Sequence, residues 1–301
     1  MSKNKGKFWN SGAFNNLKGM SSDPAYSTWS SNIKRCFSLN WMLDKSNSKG
    51  YRPSYILASC SEDFKDFEKY YNYYKENYRE GYVCDKDILF PHNKHYSFET
   101  CCFVPEFVNM AFVVNAKKGN FPIGVSADGM FFKMKITIDG KIHSTGCFVT
   151  ADLAHKEWQR LKYQSIVDIA NRYVQVSTTD GMYNQIVFDR IMERANEVKW
   201  DYDNGYETFE LNIDGVERKG EKFLSYIMMQ GEKVILDVFD TIEEAHGLWQ
   251  DATVILLEER RDWWLSNNPN DSLVENHINA VIRRLQNDRA NGDITLEFYK
   301  V

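Results

Sequence analysis

The spacing of apolar residues changes its period along this chain, and each period predicts an element. After Asp23-Pro24 the apolar residues of TWSSNIKRCFSLNWML recur at three and four positions, which predicts a helix over about 25–45 that ends before the polar run SNSKG. A second helix is expected to open near Ser61, with Glu62 and Asp63 at its positive end. Phe64, Phe67, Tyr71, Tyr74 and Tyr78 then share one face as core, and Tyr70 and Tyr73 are left for solvent or for base stacking. Residues 82–109 read as strand, loop, strand and a helix opened by Pro105. From Pro122 the period falls to two and predicts three strands, followed by a helix over about 151–170. On the middle strand Phe132, Met134, Ile136 and Ile138 face that helix, and Lys133, Lys135 and Thr137 face away from it. Lys141, His143 and Thr145 are expected to continue the same polar stripe. A linking helix over 183–200, a helix to Trp264 and a last helix near 272–290 complete the chain.

One stretch occurs twice, 91 positions apart. FVTADLAHKEW (148–158) and FDTIEEAHGLW (239–249) share Phe, Thr, Ala, His and Trp at matching places, and a Gly-containing turn precedes each, Asp139-Gly140-Lys141 and Gln230-Gly231-Glu232. Residues common to both copies, His155 with Trp158 and His246 with Trp249, are read as scaffold. The copies differ in the polar stripe, where Met228, Gln230, Lys233 and Ile235 replace most of the basic residues. The expected fold class is α+β: a helical N-terminal region with a ββα unit, then two small modules of a three-stranded sheet plus helix, the second diverged. The expected divisions are an arm over 1–24, a ββα domain with its helices over 25–115, a first module over 116–175, a linking helix over 176–205, a diverged module over 206–265 and a C-terminal helix and tail over 266–301.

Charge separates the two halves. Residues 1–175 hold 24 Lys+Arg against 17 Asp+Glu, or +7, whereas residues 176–301 hold 13 against 25, or −12. The basic half suits a polyanion such as duplex DNA, and the acidic half suits solvent or a protein partner. The arginines near the C-terminus, Arg260, Arg261, Arg283, Arg284 and Arg289, leave a homodimer open. At 301 residues, 43% hydrophobic and 15% aromatic, the chain has ample core. It has neither an apolar run of membrane-spanning length nor a secretion signal, and no membrane contact is expected. Its six cysteines lack a C-x-x-C spacing, which suggests reduced thiols in a cytoplasm.

Candidate chemistry concentrates in YVCDKDILFPHNKHYSFETCCFVPEFVN, which packs Asp85, Asp87, His92, Asn93, His95 and Asn109 into residues 82–109. The ββα order resembles the site of HNH nucleases. That resemblance implies Asp85 and Asn109 as oxygen ligands of one Mg²⁺ or Mn²⁺ ion, with Lys86, Asp87 and His95 as the catalytic group. Lys86 stands where such sites carry a histidine; an ammonium is a poor base near neutrality, so its expected role is to balance phosphate charge. His92 and His95 are both candidates for the base. Read without the resemblance, the same carboxylates are surface groups and the histidines belong to a loop.

Arg35-Cys36-Phe37, the run DKDIL, the run YSFETCCFVP and Asn109 together resemble phage-encoded HNH-type endonucleases of an Asp-Lys-Asp form, which carry an Apetala-like DNA-binding module downstream. Gly124-Val125, Lys133-Met134-Lys135-Ile136, Gly140-Lys141, Gly146-Cys147-Phe148 and Ala154 match that module. Phe98 replaces a proline usual in the family, and a glycine usual near His92 is missing. The resemblance covers about residues 25–175. It implies a homing-type endonuclease of a phage or mobile element, acting on duplex DNA in the host cytoplasm. Lys117, Lys118, Lys133, Lys135, Thr137, Lys141 and His143 would contact the DNA. The alternatives are a DNA-binding protein that does not cleave, and a protein that binds a host protein through its acidic half.

Overall fold

Asp139 and Gly140 both adopt positive φ, 49° and 72°, and Gln230 and Gly231 do the same at 51° and 89°. Two such residues make the tight turn whose twist matches antiparallel strands, so each pair fixes a hairpin and its register. The computed structural model describes residues 11–48, 50–112, 120–208 and 213–301 of a mixed α+β chain. In chain order its elements are α1 (Pro24–Phe37), α2 (Leu39–Leu43), β1 (Ser59–Cys60), α3 (Phe67–Asn77), β2 (Tyr82–Asp85), β3 (His95–Tyr96), β4 (Cys102–Pro105), α4 (Glu106–Phe112), β5 (Val125–Asp128), β6 (Phe131–Ile138), β7 (Lys141–Phe148), α5 (Ala151–Thr179), α6 (Gln185–Asn204), β8 (Val216–Lys219), β9 (Lys222–Met229), β10 (Glu232–Phe239), α7 (Ile242–Asn267) and α8 (Ser272–Asn291). Two compact units result. One comprises residues 1–78, 90–102 and 213–301, the other 79–89 and 103–212. The stretch 25–115, expected to form one domain, therefore contributes to both.

In the first of these units α1 packs on α3, and β1 pairs in parallel with β3. Trp29, Ile33, Phe64, Phe67 and Tyr70 are fully buried there, and Trp29 Nε1 donates to the Phe64 carbonyl at 2.8 Å. The helix expected over 25–45 breaks at Ser38, whose φ of −116° and ψ of 64° lie outside the helical region. The one expected from Ser61 starts at Phe67, because the Asp66 carboxylate caps the Glu68 amide. That later start moves Tyr70 into the core and leaves Tyr71 half-buried, so Tyr70 has no face for a base; the Tyr73 hydroxyl donates to the Cys101 carbonyl at 2.7 Å. A guanidinium ties α7 into this unit: Arg260 donates to the carbonyls of Cys36, Ile56 and Ala58. Burial lowers its pKa to about 10.

The two modules match over a longer span than one sheet and one helix. β5, β6 and β7 form an antiparallel sheet with β6 central, and β8, β9 and β10 repeat it around β9. α5 continues to Thr179 and α6 returns along it; α7 and α8 form the same hairpin. The helices expected as a linker and as a tail are thus equivalent parts of the two modules. Val187, Ile191, Ala195 and Val198 are buried on α6, and Val274, Ile278, Ile282 and Leu285 occupy the matching places on α8. Where the hairpins turn, the Tyr173 hydroxyl accepts from the Asn184 amide and Trp264 Nε1 donates to Asp271, each at 3.0 Å and each at the cap of the returning helix.

A histidine and a glutamine clamp each module shut. His155 Nδ1 donates to the Ile123 carbonyl at 2.9 Å, its Nε2 accepts from the Thr208 amide at 3.0 Å, and Gln159 Nε2 donates to Thr208 Oγ1 at 2.9 Å. In the second module His246 bridges the Asp214 carbonyl and the Thr295 amide at 3.2 and 3.0 Å, and Gln250 holds Thr295 Oγ1 at 2.8 Å. Each ring stacks on the tryptophan one turn away, at 5.5 Å for His155 and Trp158 and 4.8 Å for His246 and Trp249. A β-carbon at Gly124 or Gly215 would lie 2.0 or 1.7 Å from that indole, so only glycine fits where the sheet begins.

Because one ring nitrogen donates and the other accepts, the ring must be neutral; a second proton would set two donors against each other. Burial, the largest cause, pushes the His246 pKa down to about 4, outweighing the Asp214 carbonyl and nearby carboxylates that favour the charged ring. A depressed basic pKa means that the unfolded chain takes up the proton first. The clamp's contribution is therefore complete above about pH 6.5 and declines by about 1.4 kcal/mol per unit down to about pH 4. Urea unfolding of the wild type and His246→Gln across this range should show a difference in slope confined to that window, and equal slopes would contradict the neutral clamp.

Candidate functional site

The Asp-Lys-Asp motif forms a tight turn at the end of β2. Asp85 Oδ1 accepts from the backbone amides of Asp87 and Ile88 at 2.6 and 2.8 Å, which caps the turn and leaves Oδ2 as its second acceptor. Lys86 is buried, and its Nζ meets both oxygens of Asp87 at 2.6 and 2.7 Å. Burial raises the Asp85 pKa, and the charge of Asp87 adds to the rise, outweighing the two amides and Lys86. β2 pairs with β4, and α4, which carries Asn109, packs on β2. The helix begins at Glu106, one residue after Pro105 closes the strand, and the Glu106 amide donates to the Gly81 carbonyl. Asp85, Lys86, Asp87 and Asn109 thus belong to one compact unit together with the first module.

His92, Asn93 and His95 belong to the other unit. His95 is buried, with Nδ1 2.9 Å from Ser59 Oγ, and burial lowers its pKa. Asn93 braces the same loop by accepting from the His95 amide and donating to the His95 carbonyl, at 2.9 and 2.6 Å. His92 Nδ1 lies 3.7 Å from Asp214 Oδ1 and meets the Tyr226 ring edge-on. Burial alone would raise the Asp214 pKa, yet the neighbouring His92 and the charge of Lys94 hold it below the ordinary carboxylate value. The same unit encloses a cavity of about 440 Å³ lined by Tyr226, Met228, Lys94, Arg260, Phe37 and Trp263, among others. Asp85, Asp87 and Asn109 supply oxygen donors of the kind a hard divalent ion prefers, and such an ion usually keeps several waters. Among the described residues no group of three or more His, Cys, Asp or Glu side chains is arranged for a metal.

The register of the first sheet sorts the expected DNA-binding residues. Ile138 pairs with Lys141, Ile136 with His143 and Met134 with Thr145, and directly paired residues point to the same side. Lys141, His143 and Thr145 therefore lie on the side of α5, opposite Lys133, Lys135 and Thr137, and do not continue their stripe. The two-residue turn causes this, since it pairs even positions of β6 with odd positions of β7. The outer face instead adds Ile142 and Ser144 of β7. β7 is a sheet edge and is exposed from Lys141 to Cys147, so Lys141 and His143 reach solvent from the other face. Lys133 pairs with Asp128 at 2.8 Å, and the ammonium groups of Lys135 and Lys141 have no ion partner among the described residues. Lys117 and Lys118 lie outside the described residues.

In the second module the outer positions matching Lys133, Lys135 and Thr137 are Leu224, Tyr226 and Met228, and Lys141 is matched by Glu232. Leu224 and Tyr226 are buried, so the middle strand of this sheet is covered on both faces, whereas β10 is largely exposed. The clamp residues Gln159 and Gln250 and their partners Thr208 and Thr295 escape a search that stops at the tryptophan. The signals are the Trp-Gln pair in both copies and Asn-Gly-x-x-Thr at 204–208 and 291–295, displaced by 87 rather than 91. The chain shows no significant match to any family model, curated protein or solved structure. No helix among the described residues is long and apolar enough to cross a membrane.

The two roles of Asp85 can be separated by substitution. Asp85→Asn keeps the oxygen that caps the turn and removes a charge that burial disfavours, so thermal unfolding at pH 7 should show stability unchanged or raised. Asp85→Ala orphans two amides and should lose about 1–3 kcal/mol. Equal losses in both variants would contradict this assignment.

Proposed function

We propose that this chain binds duplex DNA through the sheet of its first module and hydrolyses a phosphodiester bond at the Asp85–Asp87 turn with one Mg²⁺ or Mn²⁺ ion. The observation that carries the reading is the contrast between the modules. With the same scaffold, the first presents Lys135 and Lys141 to solvent without ion partners among the described residues, where the second has a buried Tyr226 and the acidic Glu232. A lysine left uncompensated on an open sheet is suited to a phosphate backbone, and an antiparallel sheet or ribbon can enter a major groove.

Asp85 and Asn109 would hold the ion, which would polarise the phosphate and stabilise the leaving oxygen. Lys86, held against Asp87, would balance charge developing on the phosphate; it is not suited to taking a proton at neutral pH. The resemblance to HNH-type endonucleases with an Apetala-like module supports this pairing of a carboxylate turn with a DNA-binding sheet. A second reading, DNA binding without cleavage, draws on one observation: both Asp85 Oδ1 and the Asp87 carboxylate already have partners within the turn.

The test uses supercoiled plasmid with Mg²⁺ or Mn²⁺, and duplex binding measured against salt. Lys135→Gln/Lys141→Gln should weaken binding and reduce the slope of log affinity against log salt by about two. Asp85→Asn should bind like the wild type and fail to nick. Intact plasmid with the wild type under both metals selects the second reading, and binding that does not respond to salt rejects both.

A further inference from the structure

At one corner of the first module Met130, Phe131, Val149 and Leu153 are exposed at 89%, 41%, 65% and 47%. The pairing of Phe132 with Phe148 brings Phe131 and the preceding Met130 beside Val149 at the end of β7, and Leu153 follows in the first turn of α5. The scaffold does not require an apolar corner there. The matching residues of the second module are Glu221, Lys222, Asp240 and Glu244, all charged. Lys222 and Asp240 form an ion pair across the places of Phe131 and Val149.

Glu244 also accepts from the Thr241 hydroxyl at 2.8 Å while the Thr241 Oγ1 caps the Glu244 amide, a reciprocal cap at the N-terminus of α7. Leu153 occupies that position on α5, where Thr150 caps its amide and no carboxylate answers. The first module keeps Asp152 in the first turn of α5 but forgoes the ion pair and the reciprocal cap in favour of exposed apolar surface, a choice that folding alone does not reward.

Phe131 lies on the outer face in line with Lys133, Lys135 and Thr137, and Ile142 adds an exposed apolar residue at the far end of that face. Resting on the DNA-binding reading above, we propose that this corner packs against thymine methyl groups in the major groove while the lysines meet the backbone. The C5-methyl of thymine is the apolar feature of that groove. Charge complementarity favours DNA over a protein as the occupant: Asp128, paired with Phe131 on this face, is answered by Lys133, and Lys135 beyond it supplies the positive charge in line with the apolar corner.

The experiment compares one A·T-rich duplex made with thymine and again with uracil, which removes only the methyl group, using the wild type and Met130→Ser/Phe131→Ser. Both positions are charged in the second module, so the fold tolerates polar residues there; circular dichroism checks it. The wild type should bind the uracil duplex about four-fold more weakly for each methyl contacted. The double variant should lose that preference and keep the wild-type salt slope. Equal binding of both duplexes by the wild type, or a preference that survives in the variant, overturns the proposal. Unchanged DNA binding combined with loss of self-association in sedimentation assigns the corner to a protein contact instead. Absence of any duplex binding rejects the underlying reading rather than this step alone.

Discussion

The fold depends on a neutral imidazole used as a two-ended bracket. In each module one histidine nitrogen donates to the carbonyl where the sheet begins and the other accepts from an amide beyond the second helix, with a glutamine one turn further along securing the same threonine. The sheet, the long helix and the returning helix are thereby closed on one another by groups that have no other hydrogen-bonding choice in a buried site. The tryptophan that stacks on the imidazole also fills the space that a side chain at Gly124 or Gly215 would take. With closure assigned to these residues, the outer sheet faces are free to diverge.

They have diverged in opposite senses. The first module has lysines along the middle of its outer face and apolar residues, Phe131 and Ile142, near the ends. The second has Leu224, Tyr226 and Met228 along the middle and Lys222 and Lys233 at the matching ends. An apolar middle is what a covered sheet needs, and a cationic middle is tolerated only where water or a polyanion meets it. The resting place of the acidic surplus follows: Glu221, Glu232, Asp240 and Glu244 all replace neutral or basic residues of the first copy. The Asp85–Asp87 turn lies in the same compact unit as the open sheet, so the proposed site and the proposed DNA contact belong to one unit.

Much of this architecture was legible from local pattern. The period-two run through Phe132 to Ile138 and the shared Ala-His-x-x-Trp placed both sheets and the start of both long helices. What escaped was long-range. The 87-residue displacement of the returning helices is hidden by a shorter second hairpin, so α6 and α8 read as a linker and a tail. The faces of β6 and β7 differ from the expected continuous stripe because a two-residue turn inverts parity, a matter of register rather than composition. Tyr70 fell on the wrong side of α3 because Asp66, not Ser61, begins that helix. The residue types of the Asp-Lys-Asp motif are plain in the chain, whereas the capping role of Asp85 is set by backbone geometry.

One of two equivalent sheets is thus the proposed nucleic-acid surface. Amide hydrogen exchange of the full chain with and without duplex DNA tests it directly, since the two sheets serve as each other's control. Protection confined to residues 131–148, with 222–239 unchanged, is the predicted result. Protection of 222–239, or of neither sheet under conditions where the duplex is bound, would contradict it.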